Sequence, residues 1–221
     1  KQLGSWSTDR ANSITASTDG SIYVAGVAGG TFDGIVINGG PGDAFLAKYT
    51  SNGTKVWTKL LGSLSSDEAW SVTTGMDGSI YVTGETDGSL DGNINNGSTD
   101  AFLAKYNSDG TKAWSKLLGS SSSDYGTSVS TGPDGAIYVA GVTHGSLGGY
   151  INSGETDAFL AKYTSDGTQG WVQQFGTFGQ DTAKSAGVDG KGSIYIAGST
   201  WDVIGNGTNS GGIDALLSKY T

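Results

Sequence analysis

Asp43-Ala-Phe-Leu-Ala-Lys-Tyr49 recurs unchanged at 100–106 and 157–163, and returns as Asp214-Ala-Leu-Leu-Ser-Lys-Tyr220. The copies begin at 43, 100, 157 and 214, a constant step of 57 residues. A second phrase, Gly-Ser-Ile-Tyr-Val-Ala-Gly at 20–26, has relatives at 78–84, 135–141 and 192–198. A fixed period of this size marks stacked copies of one supersecondary unit, none of which can bury its apolar faces alone.

Each copy reads as four antiparallel strands. In the second, residues 68–75 form a strand, and Asp77-Gly78 supplies a hairpin turn that accepts positive φ. Residues 79–84 form the next strand, a long glycine-rich loop follows, and 101–106 form a third. Asp109-Gly110 then turns the chain into a fourth strand at 112–118. Four such strands are the content of one propeller blade. Ile80 and Val82 lie on one side of their strand and Tyr81 on the other, as expected for a sheet sandwiched between neighbours.

The expected fold is an all-β, four-bladed β-propeller forming a single domain over 1–221. Its repeats fall at about 5–62, 63–119, 120–176 and 177–221 plus 1–4. Lys1-Gln2-Leu3-Gly4 aligns with Lys59-Leu60-Leu61-Gly62. The N-terminal strand is therefore expected to complete the last blade and close the ring, which would remove the open sheet edges. A closed ring implies a monomer; the alternative is half of a larger ring, completed by a second chain as a dimer of half-rings or by a longer parent chain.

Composition narrows the classes further. Glycine contributes 39 residues and proline 2, a balance suited to tight turns between short strands. Twelve basic against twenty-one acidic residues leave a net charge of −9, which disfavours nucleic acid as a partner. No apolar run is long enough to be a membrane-spanning helix. The chain has no cysteine, which excludes disulfides and thiolate metal sites.

These phrases resemble the bacterial β-propeller repeat family known as SBBP repeats. The resemblance rests on Asp-Ala-Phe-Leu-Ala-Lys-Tyr, on Ser-Asp-Gly-Thr with a tryptophan three residues on (Trp57, Trp114 and Trp171), on Leu-Gly-Ser, and on Gly-Ser-Ile-Tyr-Val-Thr-Gly. It covers the whole chain in four copies. It implies a propeller in a secreted or cell-surface bacterial protein, so the expected location is extracellular. It brings no catalytic motif, and no catalytic residue is assigned.

Positions that recur are candidates for scaffold, and positions that vary are candidates for recognition. Asp9, Asp67, Asp124 and Asp181 precede the innermost strand, while Asp43, Asp100, Asp157 and Asp214 precede the third. Both sets are expected on one face of the disc. The first set could ring the central channel and hold a hard cation such as Ca²⁺. The same recurrence is expected if each aspartate caps its own turn. Lys48, Lys105, Lys162 and Lys219 read as ion-pair or carbonyl partners within the scaffold.

The long loop between the second and third strands varies at one register position: Asp87, His144 and Trp201, with glycine in the first copy. Tyr150 replaces Asn93 nearby, and Trp70 has no tryptophan counterpart in the other copies. Loops gathered on one face of a rigid disc are the usual place for binding. Asp87, His144, Trp201, Tyr150 and Trp70 are therefore the candidate ligand contacts, with a protein or a glycan as partner. Phe32, Leu90, Leu147 and Ile204 read as anchors that pin the loops. The first rival reading is a structural module, an excised fragment or an engineered ring with no ligand of its own. The second, an enzyme acting on polysaccharide, needs two converging carboxylates, for which Asp87, Glu85 and Glu155 are the candidates. His144 is the only histidine, and no nucleophile motif accompanies it.

Overall fold

The computed structural model describes residues 2–205 and 207–220, so Lys1 of the expected closing strand lies outside the described residues. The chain forms fifteen strands in four antiparallel sheets. The first sheet contains β1 (Asp9–Ala16), β2 (Ile22–Ala28), β3 (Asp43–Tyr49) and β4 (Lys55–Leu61). The second contains β5 (Asp67–Thr74), β6 (Ile80–Thr86), β7 (Asp100–Tyr106) and β8 (Lys112–Leu118). The third contains β9 (Asp124–Thr131), β10 (Ile137–Thr143), β11 (Asp157–Tyr163) and β12 (Gln169–Phe175). The fourth has only β13 (Thr182–Val188), β14 (Ile194–Thr200) and β15 (Asp214–Tyr220). The expected strand bounds hold to within two residues.

The sheets stack in chain order through apolar layers. Tyr23, Ala25, Ala44 and Leu46 of the first sheet pack on Val72, Ile80, Val82 and Phe102 of the second. The second sheet meets the third in the same way, with Tyr81 and Leu103 against Val129, Ile137 and Val139. Tyr138, Ala140 and Leu160 then meet Ala186, Ile194 and Ile196 of the fourth. Each interior sheet is thus apolar on both sides. Ile80, Tyr81 and Val82 are all fully buried although they alternate across the strand.

The expected closed ring does not form. Among the described residues the fourth sheet has no outer strand, and the N-terminal segment from Gln2 lies elsewhere. Leu3 packs on the outer face of the first sheet beside Phe32, Phe45 and Tyr49. That uncovered apolar face is the nearest place where Leu3 can leave water, and it outweighs the sequence match to a fourth strand. The two ends of the arc stay exposed. Ile14 is 69% exposed, whereas its equivalents Val72 and Val129 are at 5% and 4%. Leu217 is 76% exposed, whereas Leu46 and Leu160 are at 2% and 0%.

Every inner strand carries one extra residue. The register slips between Ala11 and Ser13, Ala69 and Ser71, Gly126 and Ser128, and Ala183 and Ser185. The displaced residues are therefore Asn12, Trp70, Thr127 and Lys184. A β-bulge needs a small residue opposite it because the bent strand brings a carbonyl close. A Cβ on Gly84 would lie 1.9 Å from the Glu68 carbonyl oxygen, and one on Gly141 would lie 2.0 Å from that of Tyr125. Gly26 and Gly198 face the same contact. Gly84→Ala is expected to destabilise the fold by about 1–3 kcal/mol, the usual cost of overpacking where the obstacle is backbone. Chemical denaturation would measure the loss, and Gly187→Ala, in open space on β13, is the control.

Candidate functional site

The two aspartate sets share one edge of the sheets. Thr86 at the end of β6 pairs with Asp67 on one side and Asp100 on the other. Each aspartate of the first set closes the turn before it. Oδ2 of Asp67 accepts the Ser63 N–H at 2.7 Å, Asp124 accepts that of Ser120 at 2.6 Å, and Asp181 accepts that of Thr177 at 2.6 Å. Asp9 accepts the Ser5 N–H and also that of Gly29. The second set does the same for the long loop. Asp43, Asp100, Asp157 and Asp214 accept the N–H groups of Asn38, Asn96, Ser153 and Ser210 at 2.8–3.0 Å. Among the described residues no three acidic or histidine side chains come close enough to share a metal ion, so the first set does not converge on a common centre.

Turn capping leaves one oxygen of each buried aspartate idle. Oδ1 of Asp43, Asp67, Asp100, Asp124, Asp157 and Asp181 is buried without a hydrogen-bond partner. Burial pushes the Asp43 carboxyl up to about 6, against the Asn38 N–H that favours its charge and with help from the Asp67 charge. Asp67 and Asp100 move in the same direction, also chiefly through burial. A carboxyl whose folded pKa lies above its unfolded value holds its proton longer in the folded state. Its stabilising contribution is complete below the unfolded pKa and lost as pH rises through about 6. Asp43→Asn is therefore expected to raise thermal stability above pH 7 relative to wild type, by at most about 3 kcal/mol. The advantage should vanish near pH 4, and melting curves across that range would measure it.

The recurring lysines are scaffold. Lys48, Lys105, Lys162 and Lys219 each stand 5.4–5.5 Å above the ring of Tyr23, Tyr81, Tyr138 or Tyr195. Lys48 and Lys105 also donate to the carbonyls of Ser108 and Ser165 in the following repeat, both at 3.0 Å. Trp57, Trp114 and Trp171 tilt against the same tyrosines with centroids 6.0–6.3 Å apart, which makes them packing residues.

The variable positions behave differently. A groove of about 640 Å³ runs across the second, third and fourth sheets at the end where the long loops begin. Its walls include the displaced bulge residues Trp70, Thr127 and Lys184. Glu85 and Val142 reach it from the second strands, and Tyr125, His144 and Gln180 complete it. Trp70 Nε1 donates to Glu85 Oε2 at 3.0 Å, and the residue is 37% exposed. Burial holds the Glu85 carboxyl above the usual carboxylate range; the Trp70 hydrogen bond opposes this, and the nearby Glu68 and Asp87 charges add to it. His144 meets Tyr125 edge to face at 5.7 Å, and its Nδ1 lies 3.2 Å from the Ser123 carbonyl oxygen.

Of the five candidate contacts, the structure brings Trp70 and His144 together in this groove. Asp87 instead accepts the Thr99 hydroxyl at 2.7 Å and braces its own loop. Tyr150 is 43% exposed on a separate stretch of loop. Trp201 is 48% exposed and rests against Gly179, next to the groove residue Gln180. Glu155, a carboxylate considered for acid–base chemistry, is engaged by Gln180 Nε2 at 2.7 Å. The loop anchors Phe32, Leu90 and Leu147 are buried as expected. Sequence reasoning missed Tyr125, Thr127 and Lys184. Their signal was available, because each occupies a register position filled by a different residue type in every copy.

Comparison with known proteins fits this architecture. Residues 113–149 match the family described as Beta-propeller repeat. Residues 77–112 and 132–169 match a second family, a beta-propeller domain of unknown function, DUF5122. The regulatory protein FlaEY of Caulobacter vibrioides is 31% identical over 207 residues, which is 85% of this chain. The chain spans about a fifth of that curated relative's length, 21%. A crystal structure of a protein of unknown function from Dyadobacter fermentans superposes with a TM-score of 0.50 at 15% identity, covering 93% of this chain and 59% of that one. One from Bacteroides caccae gives 0.43 at 11%, covering 86% and 54%.

Proposed function

We propose that this chain, built from repeats of the β-propeller repeat family, is a non-enzymatic binding propeller that takes a glycan in the groove across its second, third and fourth sheets. The observation that carries the reading is the lining of that groove. Positions that break the 57-residue beat meet there, and recurring positions are spent on turns and packing. A partly exposed indole, tethered at Nε1 by Glu85, offers an apolar surface to the C–H side of a sugar ring. Gln180, Lys184, Thr182 and Glu85 offer donors and acceptors for hydroxyls around it. Such a site suits a secreted or surface-exposed protein, which is where the resemblance to the repeat family points.

The groove favours binding over catalysis. A glycosidase-type mechanism would need a second carboxylate across from Glu85, and the third and fourth sheets contribute Tyr125, His144, Gln180 and Lys184. A second reading, recognition of a protein partner, draws support from the relative whose name is regulatory protein FlaEY. The test is a screen of the intact chain against a glycan array, followed by titration with tryptophan fluorescence. Trp70→Ala is expected to weaken binding by at least about 2 kcal/mol, the scale of a central aromatic contact. Tyr150→Ala, outside the groove, should leave it unchanged. A glycan bound equally well by Trp70→Ala would remove the groove from consideration.

A further inference from the structure

The three internal sheet–sheet contacts repeat one set of interactions, and the two ends of the arc carry its unused halves. On the trailing face of each sheet the recurring contact is a leucine: Leu46, Leu103 and Leu160 are buried against the next sheet. The same position in the fourth sheet is Leu217, which stands in solvent with Ala197 exposed beside it. On the leading face, Val72, Ile80 and Val82 receive the preceding sheet. Their first-sheet equivalents, Ile14, Ile22 and Val24, instead line an apolar depression of about 400 Å³ together with Phe45, Tyr49 and Leu3 of the N-terminal segment, which covers part of this face.

The polar contacts show the same missing partner. Ser13 Oγ accepts the Val72 N–H, Ser71 Oγ that of Val129, and Ser128 Oγ that of Ala186, at 3.0–3.2 Å. Next in this series are Ser185, exposed on β13, and the N–H of Ile14 on β1. Lys48 and Lys105 reach the Ser108 and Ser165 carbonyls one repeat on. Lys219 is the corresponding lysine at the open end, and Ser51 is the corresponding serine at the other. Leucine, serine and lysine on one face thus match a depression, an N–H and a carbonyl on the opposite one.

We propose that a second copy of this chain occupies these faces, docked head to tail, so that the β13–β15 sheet of each copy stacks on the β1–β4 sheet of the other. The contact would extend an interface already built three times within the chain. It would be heterologous, joining two different faces, and two such contacts close a pair of copies into one ring. The exposed Ser185, Lys219, Leu217 and Ile14 would be covered together.

Light scattering on the purified chain would test this. Wild type is expected at the mass of two chains, twice 22.4 kDa. Leu217→Glu and Ile14→Glu each alter one exposed side chain, so their folds should survive, as circular dichroism can verify. Each alone is expected to reduce the pair to a single chain. An equimolar mixture of the two variants should recover the two-chain mass, because one unaltered trailing face remains for one unaltered leading face. A wild type that stays a single chain at high concentration would overturn the proposal. So would variants that keep the two-chain mass, or a mixture that fails to recover it.

Discussion

A β-sheet with apolar side chains on both faces has no stable way to exist alone, and this constraint organises the molecule. The phrase Ile-Tyr-Val places bulk on alternate sides of a strand, so each sheet needs one neighbour on either hand. Stacking meets that need for the interior sheets and leaves it unmet at the ends of the arc. Turns, bulges and capping aspartates all serve to hold four similar sheets at the spacing where these layers interlock. Their recurrence every 57 residues reflects that single requirement, met repeatedly.

The capping aspartates illustrate the cost of such regularity. Six of them, Asp43, Asp67, Asp100, Asp124, Asp157 and Asp181, accept a backbone N–H with one oxygen and keep the other buried without a partner. The arrangement fixes the edge from which the long loops spring, and at Asp43, Asp67 and Asp100 burial makes the carboxyl retain its proton more tightly than usual. The face that carries the groove is held by aspartates that do not line it.

Much of this was legible in the sequence because it is written several times. Strand order, hairpin turns at Asp-Gly, loop anchors such as Leu90 and the packing tryptophans follow from comparing one copy with the next. Closure was not legible. The match of Lys1-Gln2-Leu3-Gly4 to a fourth strand is a statement about pattern, whereas the resting place of Leu3 depends on which apolar surface lies open. Asp87 misled for a related reason: variability flags a position, but only the fold tells whether it faces the groove or braces its own loop against Thr99. The bulge was hidden because a strand pattern assumes a period of two, and one inserted residue per inner strand re-aims Trp70, Thr127 and Lys184.

That inserted residue has an evolutionary consequence. A side chain at positions 12, 70, 127 or 184 has no register partner on the neighbouring strand. Exchange there of asparagine, tryptophan, threonine and lysine has left the strands around it in place. Repeats multiply by duplication, which at first yields identical copies. The bulge gives each new copy a codon at which its chemistry can diverge without displacing a ladder partner. Diversity of recognition in such a molecule can thus accumulate one residue at a time, on a frame that selection is free to leave untouched.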